Sequence, residues 1–333
     1  MIMEYKKIFN QFNDLNILII GDIMIDSYMW GKVERISPEA PVPIATISKT
    51  EDRLGGAANV ALNIRAMGAN PILCSVVGSD PKSKTLISLM KKLNMVKEGI
   101  LFSKERETTV KTRILGNKIQ MLRVDQEITS PLSDNDEKEF LKSIFTILEK
   151  KKIDAIIFQD YDKGVITPNV ITEVVKVAKK KNIPTAVDPK KRNFLAYKQV
   201  TLFKPNLKEL KEGLKIEFDL PSMDNLVDAS NLLQHRLKAQ MIFITLSENG
   251  VFIADYNLKY KNMAIVPAHH RAISDVSGAG DTVISVASLC LALKLPFKTI
   301  AEISNIAGGL VCEQVGVVPI NKALLLSEVC NKL

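Results

Sequence analysis

The sequence predicts an α/β fold with a doubly wound, mostly parallel sheet and a small separate β-sheet. Short apolar runs that suit buried parallel strands alternate along the chain with helical patterns. Two further segments alternate apolar and polar residues, as half-exposed antiparallel strands do. No internal repeat or flexible linker divides the 333 residues, so we expect one domain with a projecting lid.

Strand and helix patterns follow one another along the first half of the chain. The run N-I-L-I-I-G at 16–21 is fully apolar, which is typical of a strand at the centre of a parallel sheet. A helical pattern at 57–67 ends at Gly68, and a strand pattern at 71–77 and a helical pattern at 83–93 come next.

The second half continues the alternation. A buried strand is expected at 153–159, followed by a helix at 167–180 that opens with Thr167 as N-cap and Pro168 in the first turn. Further strands are expected at 184–187, 202–204 and 241–246, and the final third is rich in helical patterns. Strands separated by helices favour a parallel sheet with right-handed crossovers.

Two segments interrupt this rhythm. Residues 42–54 and 108–124 alternate apolar and polar side chains, and the second carries Gly116-Asn117 at a position suited to a hairpin turn. Such segments do not fit inside a parallel sheet. We therefore predict a small projecting sheet, with lid strands from about 23–54 and 100–125.

Composition indicates a cytoplasmic protein. The four cysteines lie far apart, which favours free buried thiols over a disulfide framework or a zinc site. They are Cys74, Cys290, Cys312 and Cys330. The pair His269-His270 lacks other ligands at metal spacing. No apolar run approaches the ~20 residues that span a membrane, and the charged N-terminus does not resemble a signal peptide.

The net charge of +8 raises the question of nucleic-acid binding. Much of the excess is lysine at 150–152 and 179–181, at the ends of predicted helices, where cations complement the helix dipole. No aromatic-interleaved basic stripe, zinc-finger spacing or helix-turn-helix pattern occurs. We therefore expect no nucleic-acid partner, and the positive field would suit anionic small molecules.

The stretch D-V-S-G-A-G-D-T at 275–282 places a glycine-rich turn directly before an apolar helical run. Gly278 and Gly280 allow close approach of a ligand to the backbone, and the first-turn amides of a helix are unpaired at the positive end of its dipole. This arrangement predicts an anion hole, with Asp281 beside it as a proton acceptor. From these residues alone an ordinary loop, with Asp281 as a helix cap, stays open.

Four other segments, in this order with D-V-S-G-A-G-D, resemble the ribokinase-like sugar kinases of the phosphofructokinase B type. They are R-I-S-P-E-A-P-V-P at 35–43, G-G-A-A-N-V-A at 55–61, D-P-K at 188–190 and K-P-N-L-K-E at 204–209. The long R-I-S-P-E-A-P-V-P block is the most specific, and it is most similar to the D-glycero-β-D-manno-heptose 7-phosphate kinases. The resemblance covers essentially the whole chain.

The resemblance implies a ribokinase-like fold and ATP-dependent phosphorylation of the anomeric hydroxyl of D-glycero-β-D-manno-heptose 7-phosphate. The product would be the 1,7-bisphosphate, in ADP-heptose and lipopolysaccharide core synthesis. Two alternatives stay open: a kinase for another sugar, sugar phosphate or nucleoside, and a non-catalytic sugar- or nucleotide-binding sensor. A P-loop kinase is excluded because no G-x-x-x-x-G-K-[ST] sequence occurs, and the first strand lacks the glycines of a dinucleotide-binding enzyme.

The resemblance also implies roles for individual residues. Asp281 would take the proton of the acceptor hydroxyl while the neighbouring amides hold the transferring phosphoryl group. The catalytic set is then Gly278, Ala279, Gly280 and Asp281. Asp26 would accept hydrogen bonds from sugar hydroxyls, since both of its carboxylate oxygens are acceptors.

A phosphorylated substrate needs a second anion site. Lys111 and Arg113 share a face of the lid because their spacing is two, and the resemblance favours them for the 7-phosphate. Exposed lid charges without a partner are the alternative. The remaining candidates for substrate binding are Gly55, Gly56, Asn59, Arg123, Asp160, Lys163 and Lys190. Gln159 stands where the family more usually has a small residue, and Asp22 is expected to be structural.

Asn206 and Glu209 form an Asn-x-x-Glu element, in which an amide and a carboxylate one helical turn apart could hold the waters of Mg²⁺. By resemblance, the 245–250 turn would contact the nucleotide. The remaining nucleotide-binding candidates are Ser247, Gly250, Gly278, Gly280 and, for the adenine pocket by position, Asn305. A monovalent cation near Asp275 and Ser277 stays open.

The lid segments carry more apolar surface than a small sheet buries alone, which predicts a homodimer joined through the lids. The residues concerned are Val42, Ile44, Ile47, Val110, Ile114, Ile119 and Leu122. The chain lacks an H-x-G-H element, so we expect no second nucleotidyltransferase domain and a separate adenylyltransferase downstream. A truncated bifunctional protein is the open alternative.

Overall fold

The computed structural model describes residues 2–117, 119–218, 222–257 and 262–333. In chain order the strands are β1 (Asn16–Gly21), β2 (Ile23–Ile36), β3 (Pro43–Gly56), β4 (Asn70–Gly78), β5 (Gly99–Ser103), β6 (Val110–Gly116), β7 (Ile119–Gln126), β8 (Ala155–Gln159), β9 (Thr185–Asp188), β10 (Leu202–Phe203), β11 (Met241–Thr245), β12 (Val251–Asp255) and β13 (Asn262–Val266). The helices are α1 (Ile2–Gln11), α2 (Ala57–Ala66), α3 (Pro81–Lys92), α4 (Asp134–Lys150), α5 (Pro168–Lys180), α6 (Leu207–Leu214), α7 (Met223–Leu237), α8 (Ala279–Ala292), α9 (Phe297–Cys312) and α10 (Lys322–Lys332).

A nine-stranded sheet has the order β13-β12-β11-β10-β9-β8-β1-β4-β5. Neighbouring strands are parallel from β5 through β11, and β12 pairs antiparallel with both β11 and β13. β1 therefore lies between β4 and β8, in agreement with the fully apolar run that predicts a central strand. The mostly parallel sheet is confirmed.

Helices cover both faces of the large sheet. Along β1, Ile17 and Ile19 face a core layer that includes α2, α8 and α9, whereas Leu18 and Ile20 face a layer of α4, α5, α6 and α7. Alternate residues of a strand point to opposite faces, so one apolar run serves both layers. In the ranges that the structure describes, no helix combines the length and apolar composition needed to cross a bilayer.

The lid is a separate four-stranded sheet of order β3-β2-β6-β7. β2 pairs antiparallel with β3 and parallel with β6, and β6 and β7 form a hairpin. Asn117 has φ +53°, as a tight turn requires, while Lys118 lies outside the described residues. The second lid segment was expected from about residue 100, but Gly99–Ser103 forms β5 at the edge of the large sheet. The second lid segment starts at Val110, the first residue of β6.

Several element boundaries differ from the sequence prediction by one or two residues. α3 begins at Pro81 because the Asp80 side chain accepts the Ser83 N–H at 2.8 Å and caps the helix. β8 begins at Ala155, since Asp154 accepts the Asn16 N–H at 2.9 Å. The predicted cap Thr167 is confirmed.

Candidate active site

The site lies where the carboxyl ends of β1, β8 and β9 meet the beginning of α8. Gly21 is in register with Gln159, and Gln159 is in register with Asp188, so the side chains of Gln159 and Asp188 leave adjacent strand ends. A crevice at the carboxyl ends of parallel strands is where open α/β sheets bind ligands. The 275–282 motif borders this crevice, since Asp281 accepts a hydrogen bond from Gln159.

Asp281 lies in the first turn of α8 and is 8% exposed. Its Oδ2 accepts a hydrogen bond from Asn59 Nδ2 at 2.6 Å. Its Oδ1 accepts from the Tyr161 hydroxyl at 2.7 Å and from Gln159 Nε2 at 3.2 Å. Three donors from two separate parts of the chain, α2 and the end of β8, therefore orient this carboxylate.

Burial raises the pKa of Asp281 to about 6. The hydrogen bonds from Asn59 and Tyr161 oppose this rise, while the neighbouring carboxylate of Asp188 adds to it. A carboxylate with a pKa near 6 is ionised at neutral pH and still basic enough to accept a proton in a transition state.

The beginning of α8 is open to an anion. Gly278 has φ +79°, a conformation that glycine adopts without strain, and no side chain caps the helix there. A Cβ added at Gly280 would lie 3.8 Å from Asp188 Oδ2 and 3.9 Å from Lys204 Nζ, its nearest neighbours. The Ala279 N–H donates to the Val276 carbonyl oxygen at 3.3 Å, so the amides of Gly278 and Gly280 are the ones left for an anion. The space beside Gly280 is flanked by the Asp188–Lys204 ion pair.

Lys204 was not among the predicted site residues. It is 2% exposed and pairs with Asp188, with 3.1 Å between Nζ and Oδ2. The signal was present in the sequence, because a lysine directly follows the apolar strand residues Leu202 and Phe203. The ammonium group of this buried ion pair lies next to the anion hole, where it can donate hydrogen bonds to an anion.

Asp26 forms the base of the lid. Its Oδ1 lies 2.5 Å from Arg113 Nη1, and the strand register places Arg53 and Lys111 opposite it on the two neighbouring strands. Arg53 and Arg113 both lie over the Tyr28 ring, at 4.9 Å and 5.3 Å from its centroid. The predicted shared face of Lys111 and Arg113 is present, and Arg53 is a third cation that sequence reasoning missed.

The other basic candidates on this side are matched to carboxylates. Lys111 Nζ lies 3.0 Å from Asp125 Oδ2 and 3.3 Å from Glu127 Oε2, and Lys163 Nζ lies 2.7 Å from Glu127 Oε1. Arg123 pairs with Asp125 at 3.0 Å on the more exposed strand β7. Lys111 and Lys163 thus share one acidic partner next to the cleft, and phosphate binding by these residues stays a prediction.

Asn206 and Glu209 cap α6 reciprocally. Asn206 Oδ1 accepts the Glu209 N–H at 2.8 Å, and Glu209 Oε2 accepts the Asn206 N–H at 2.9 Å. The other carboxylate oxygen, Oε1, pairs with the ammonium of Lys190. Although burial opposes it, the carboxylates of Asp188 and Glu209 raise the pKa of Lys190 well above its usual range. Glu209 Oε1 is therefore the carboxylate oxygen that faces a cationic group, while Oε2 caps the helix.

Asp160 and Asp22 hold the loop that carries Tyr161. Asp160 accepts hydrogen bonds from the Tyr197 hydroxyl at 2.7 Å and the Asp162 N–H at 2.8 Å. Burial, followed by the charge of Asp22, raises the pKa of Asp160 to about 6. Asp22 accepts the backbone N–H groups of Tyr161, Lys163 and Val165, which agrees with its expected structural role. Contact of Asp160 with substrate stays a prediction.

Gly55 and Gly56, at the base of the lid, lie too close to neighbouring protein atoms for a side chain to fit. A Cβ at Gly55 would lie 2.1 Å from Asp26 Oδ2, and one at Gly56 would lie 2.4 Å from the Asp22 carbonyl oxygen. Asn59 donates its amide N–H to Asp281, and its contact with sugar hydroxyls stays a prediction. These three residues are therefore placed in the site, where they shape Asp26 and the base.

The predicted nucleotide-side residues organise loops around the cleft. Ser247 has φ +54° in the turn after β11, and Gly250 has φ +87° with the Val266 carbonyl oxygen 2.1 Å from an added Cβ. Asn305 Nδ2 donates to the Pro267 carbonyl at 2.8 Å. Asp275 accepts the N–H groups of Ser277 and Gly316. Within the described ranges, no group of three acidic, histidine or cysteine side chains is placed to hold a metal ion.

Comparison with known proteins identifies the family of the chain. Residues 14–323 match the model of the pfkB family of carbohydrate kinases. The bifunctional protein HldE of Methylobacillus flagellatus is 39% identical over 313 residues, which are 94% of this chain and 62% of that protein. HldE of Wolinella succinogenes is 38% identical over 300 residues, 90% of this chain and 61% of that protein. The chain thus spans about three fifths of these relatives' length.

Solved structures share the fold. Phosphofructokinase-2 from Escherichia coli in complex with fructose-6-phosphate has a TM-score of 0.75 at 18% identity, covering 96% of this chain and 99% of that one. Arabidopsis thaliana ribokinase, complexed with ribose and ATP, has a TM-score of 0.69 at 14% identity, covering 94% and 98%. The predicted ribokinase-like fold is confirmed. Because the family model matches nearly the whole chain, including the residues of the crevice around Asp281, the protein belongs to the pfkB family of carbohydrate kinases.

Proposed function

We propose that the protein transfers the γ-phosphoryl group of ATP to the anomeric hydroxyl of D-glycero-β-D-manno-heptose 7-phosphate, giving the 1,7-bisphosphate. The observation that carries the catalytic part is the buried carboxylate of Asp281 at the open beginning of α8, with a pKa near 6. The heptose is supported by the R-I-S-P-E-A-P-V-P block and by the relatives named HldE.

Asp281 acts as the general base. Its Oδ2 has one protein donor and its Oδ1 has two, so Oδ2 keeps a lone pair for the acceptor hydroxyl. The proton moves to Asp281 as the sugar oxygen bonds to phosphorus, and the bond between phosphorus and the oxygen of the leaving ADP breaks. The amides of Gly278 and Gly280 and the Lys204 ammonium stabilise the charge on the transferring group.

The lid supplies the proposed phosphate site. Arg53 and Arg113 lie over the Tyr28 ring on the same lid face as Asp26 and Lys111. An arginine pair can bind a phosphate through paired N–H groups, while Asp26 keeps the hydroxyl-accepting role. Closure of this face over the sugar would exclude water and limit hydrolysis of ATP.

Kinases of this kind use ATP and typically Mg²⁺, and the donor set at α6 fits that ion. Glu209 Oε1 already pairs with a cationic group, Lys190, and a hard carboxylate oxygen suits a hydrated Mg²⁺. Asn206 and Glu209 would hold the ion through water, and the bound ion would neutralise charge on the nucleotide phosphates. A monovalent cation near Asp275 and Ser277 is a further part of the proposal.

The remaining parts of the proposal concern setting and partners. The cysteines that the structure describes are free, and three of them are buried, as expected of a cytoplasmic enzyme that consumes ATP. A homodimer joined through the lids would cover their apolar surface. An adenylyltransferase activity would use the product.

A coupled kinase assay across sugars and sugar phosphates tests this function. We expect ADP release to be fastest with D-glycero-β-D-manno-heptose 7-phosphate and to need its 7-phosphate. Faster turnover with ribose, fructose phosphates or a nucleoside would assign a different acceptor. Binding of sugar and ATP without any ADP release would favour the sensor.

A further inference from the structure

Gln159 ends β8 at the centre of the crevice and is 1% exposed. Its Nε2 lies 3.2 Å from Asp281 Oδ1 and 3.4 Å from Asp188 Oδ2. Two carboxylates as neighbours fix the orientation of the amide, because only the NH₂ end can donate to them. The side chain thus bridges the two acidic groups nearest the anion hole.

The other end of the same amide has no partner. Gln159 Oε1 is buried and accepts no hydrogen bond from the residues that the structure describes. A buried acceptor without a donor is unfavourable, so an apolar side chain of similar size would suit a purely structural position better. The NH₂ end of the amide, which does have partners, donates to Asp281. This contact indicates that the glutamine serves the catalytic base.

The contacts of Asp281 show what this amide adds. The Tyr161 hydroxyl and Gln159 Nε2 together use both lone pairs of Oδ1, and Asn59 uses one of Oδ2. We propose that Gln159 is a positioning residue for the catalytic base, since its amide holds Oδ1 so that Oδ2 faces the acceptor hydroxyl. This inference rests on the kinase function proposed above.

The bridge also eases repulsion between the two carboxylates. The groups that face Asp281 are Asn59 from α2, Tyr161 from the loop after β8, Asp188 and Lys190 at and after the end of β9, and Lys204 after β10. Of these, Asp188 raises the pKa of Asp281, and Lys204 lowers it. Removing an amide donor from the ionised carboxylate should therefore raise the pKa further.

The test compares the wild-type protein with Gln159→Met, which keeps the length of the side chain and removes the donor. We expect kcat to fall about tenfold or more, as loss of a hydrogen bond to a charged group does, with both KM values changed less than about threefold. The carboxyl ¹³C signal of Asp281 in the ligand-free protein should titrate at higher pH. Tyr197→Phe, which removes a buried donor to Asp160 instead, is the matched control and should leave that titration unchanged.

Equal kcat and an unchanged Asp281 titration in Gln159→Met would overturn the proposal. If the Met variant does not fold, Gln159→Ser removes the same amide without adding bulk and is judged by the same two measurements. Should the wild-type protein phosphorylate no sugar, the proposed function fails on its own. The carboxyl titrations of the wild-type and variant proteins then decide the role of Gln159 separately.

Discussion

Asp281 illustrates how a single carboxylate is prepared for proton transfer. Desolvation raises its pKa to about 6, while hydrogen bonds from Asn59 and Tyr161 keep the rise moderate. Without those donors a buried carboxyl would stay protonated at neutral pH, and without burial it would be too weak a base. The balance gives an ionised but reactive group.

Replacing Asp281 with Asn should test this role. The volume is kept but the proton acceptor is lost, so we expect turnover to fall by ~10²–10⁴, the range for loss of a general base. ATP binding, measured by calorimetry, should change only a few-fold. Retention of more than about a tenth of wild-type turnover, with chemistry shown to limit the rate, would contradict the assignment.

The pH dependence should report the same group. Since the base acts in its ionised form, kcat/KM for the sugar should rise with pH through about 6 and level off above it. The sign follows from the raised pKa, because protonation below that value removes the acceptor. A coupled assay, with coupling enzymes shown to stay active at each pH, measures kcat/KM on both sides of pH 6. A profile that is flat across this range would show that Asp281 is not the base.

The sequence predicts Asp281 because its motif is local, whereas its partners could not be predicted. Gln159 and Tyr161 lie more than a hundred residues from Asp281 along the chain, and only the packing of α8 against β8 brings them there. Lys204 is similar, since its pairing with Asp188 depends on the neighbouring strands β9 and β10.

At the scale of elements, the lid has two unlike faces. Asp26 and Tyr28 lie on the face that carries Arg53, Lys111 and Arg113, as the strand register requires. The alternating pattern predicts β3, β6 and β7, and the expected lid range of about 23–54 also contains β2. The apolar beginning of β2 directly follows β1, so periodicity alone does not show the change of sheet.

Replacing Arg113 with Ala should weaken binding of the sugar phosphate by ~1.5–3 kcal/mol, the range for a charge-assisted hydrogen bond. Affinity for ATP should barely change, and unphosphorylated sugar should lose less than the sugar phosphate. Lys49→Ala is the matched control, because Lys49 is an exposed lid cation that lies over Trp30. Equal loss for phosphorylated and unphosphorylated sugars would show that Arg113 only shapes the lid.

At the scale of the whole molecule, the two sheets differ in how completely they are covered. Helices pack on both faces of the large sheet, whereas the outer face of the lid, formed by Ile47, Ile114, Leu122 and Val124, stays partly open. Ile47 is 40% exposed and Leu122 is 54% exposed. Val110 was expected to contribute to this apolar lid surface, but it is 3% exposed and packs in the main core.

An apolar face of this kind is most simply covered by the same face of a second copy, and a two-fold dimer is the commonest such arrangement. We therefore predict a homodimer through the lids, which a charge at Ile44 or Ile114 should convert to monomers. Because the same small sheet carries Asp26 and Arg113 on its other face, KM for the sugar should rise while ATP affinity stays near wild type. Light scattering measures the mass at micromolar concentration. A monomeric wild-type protein would end this prediction, and a dimer that survives both substitutions would place the interface on another surface.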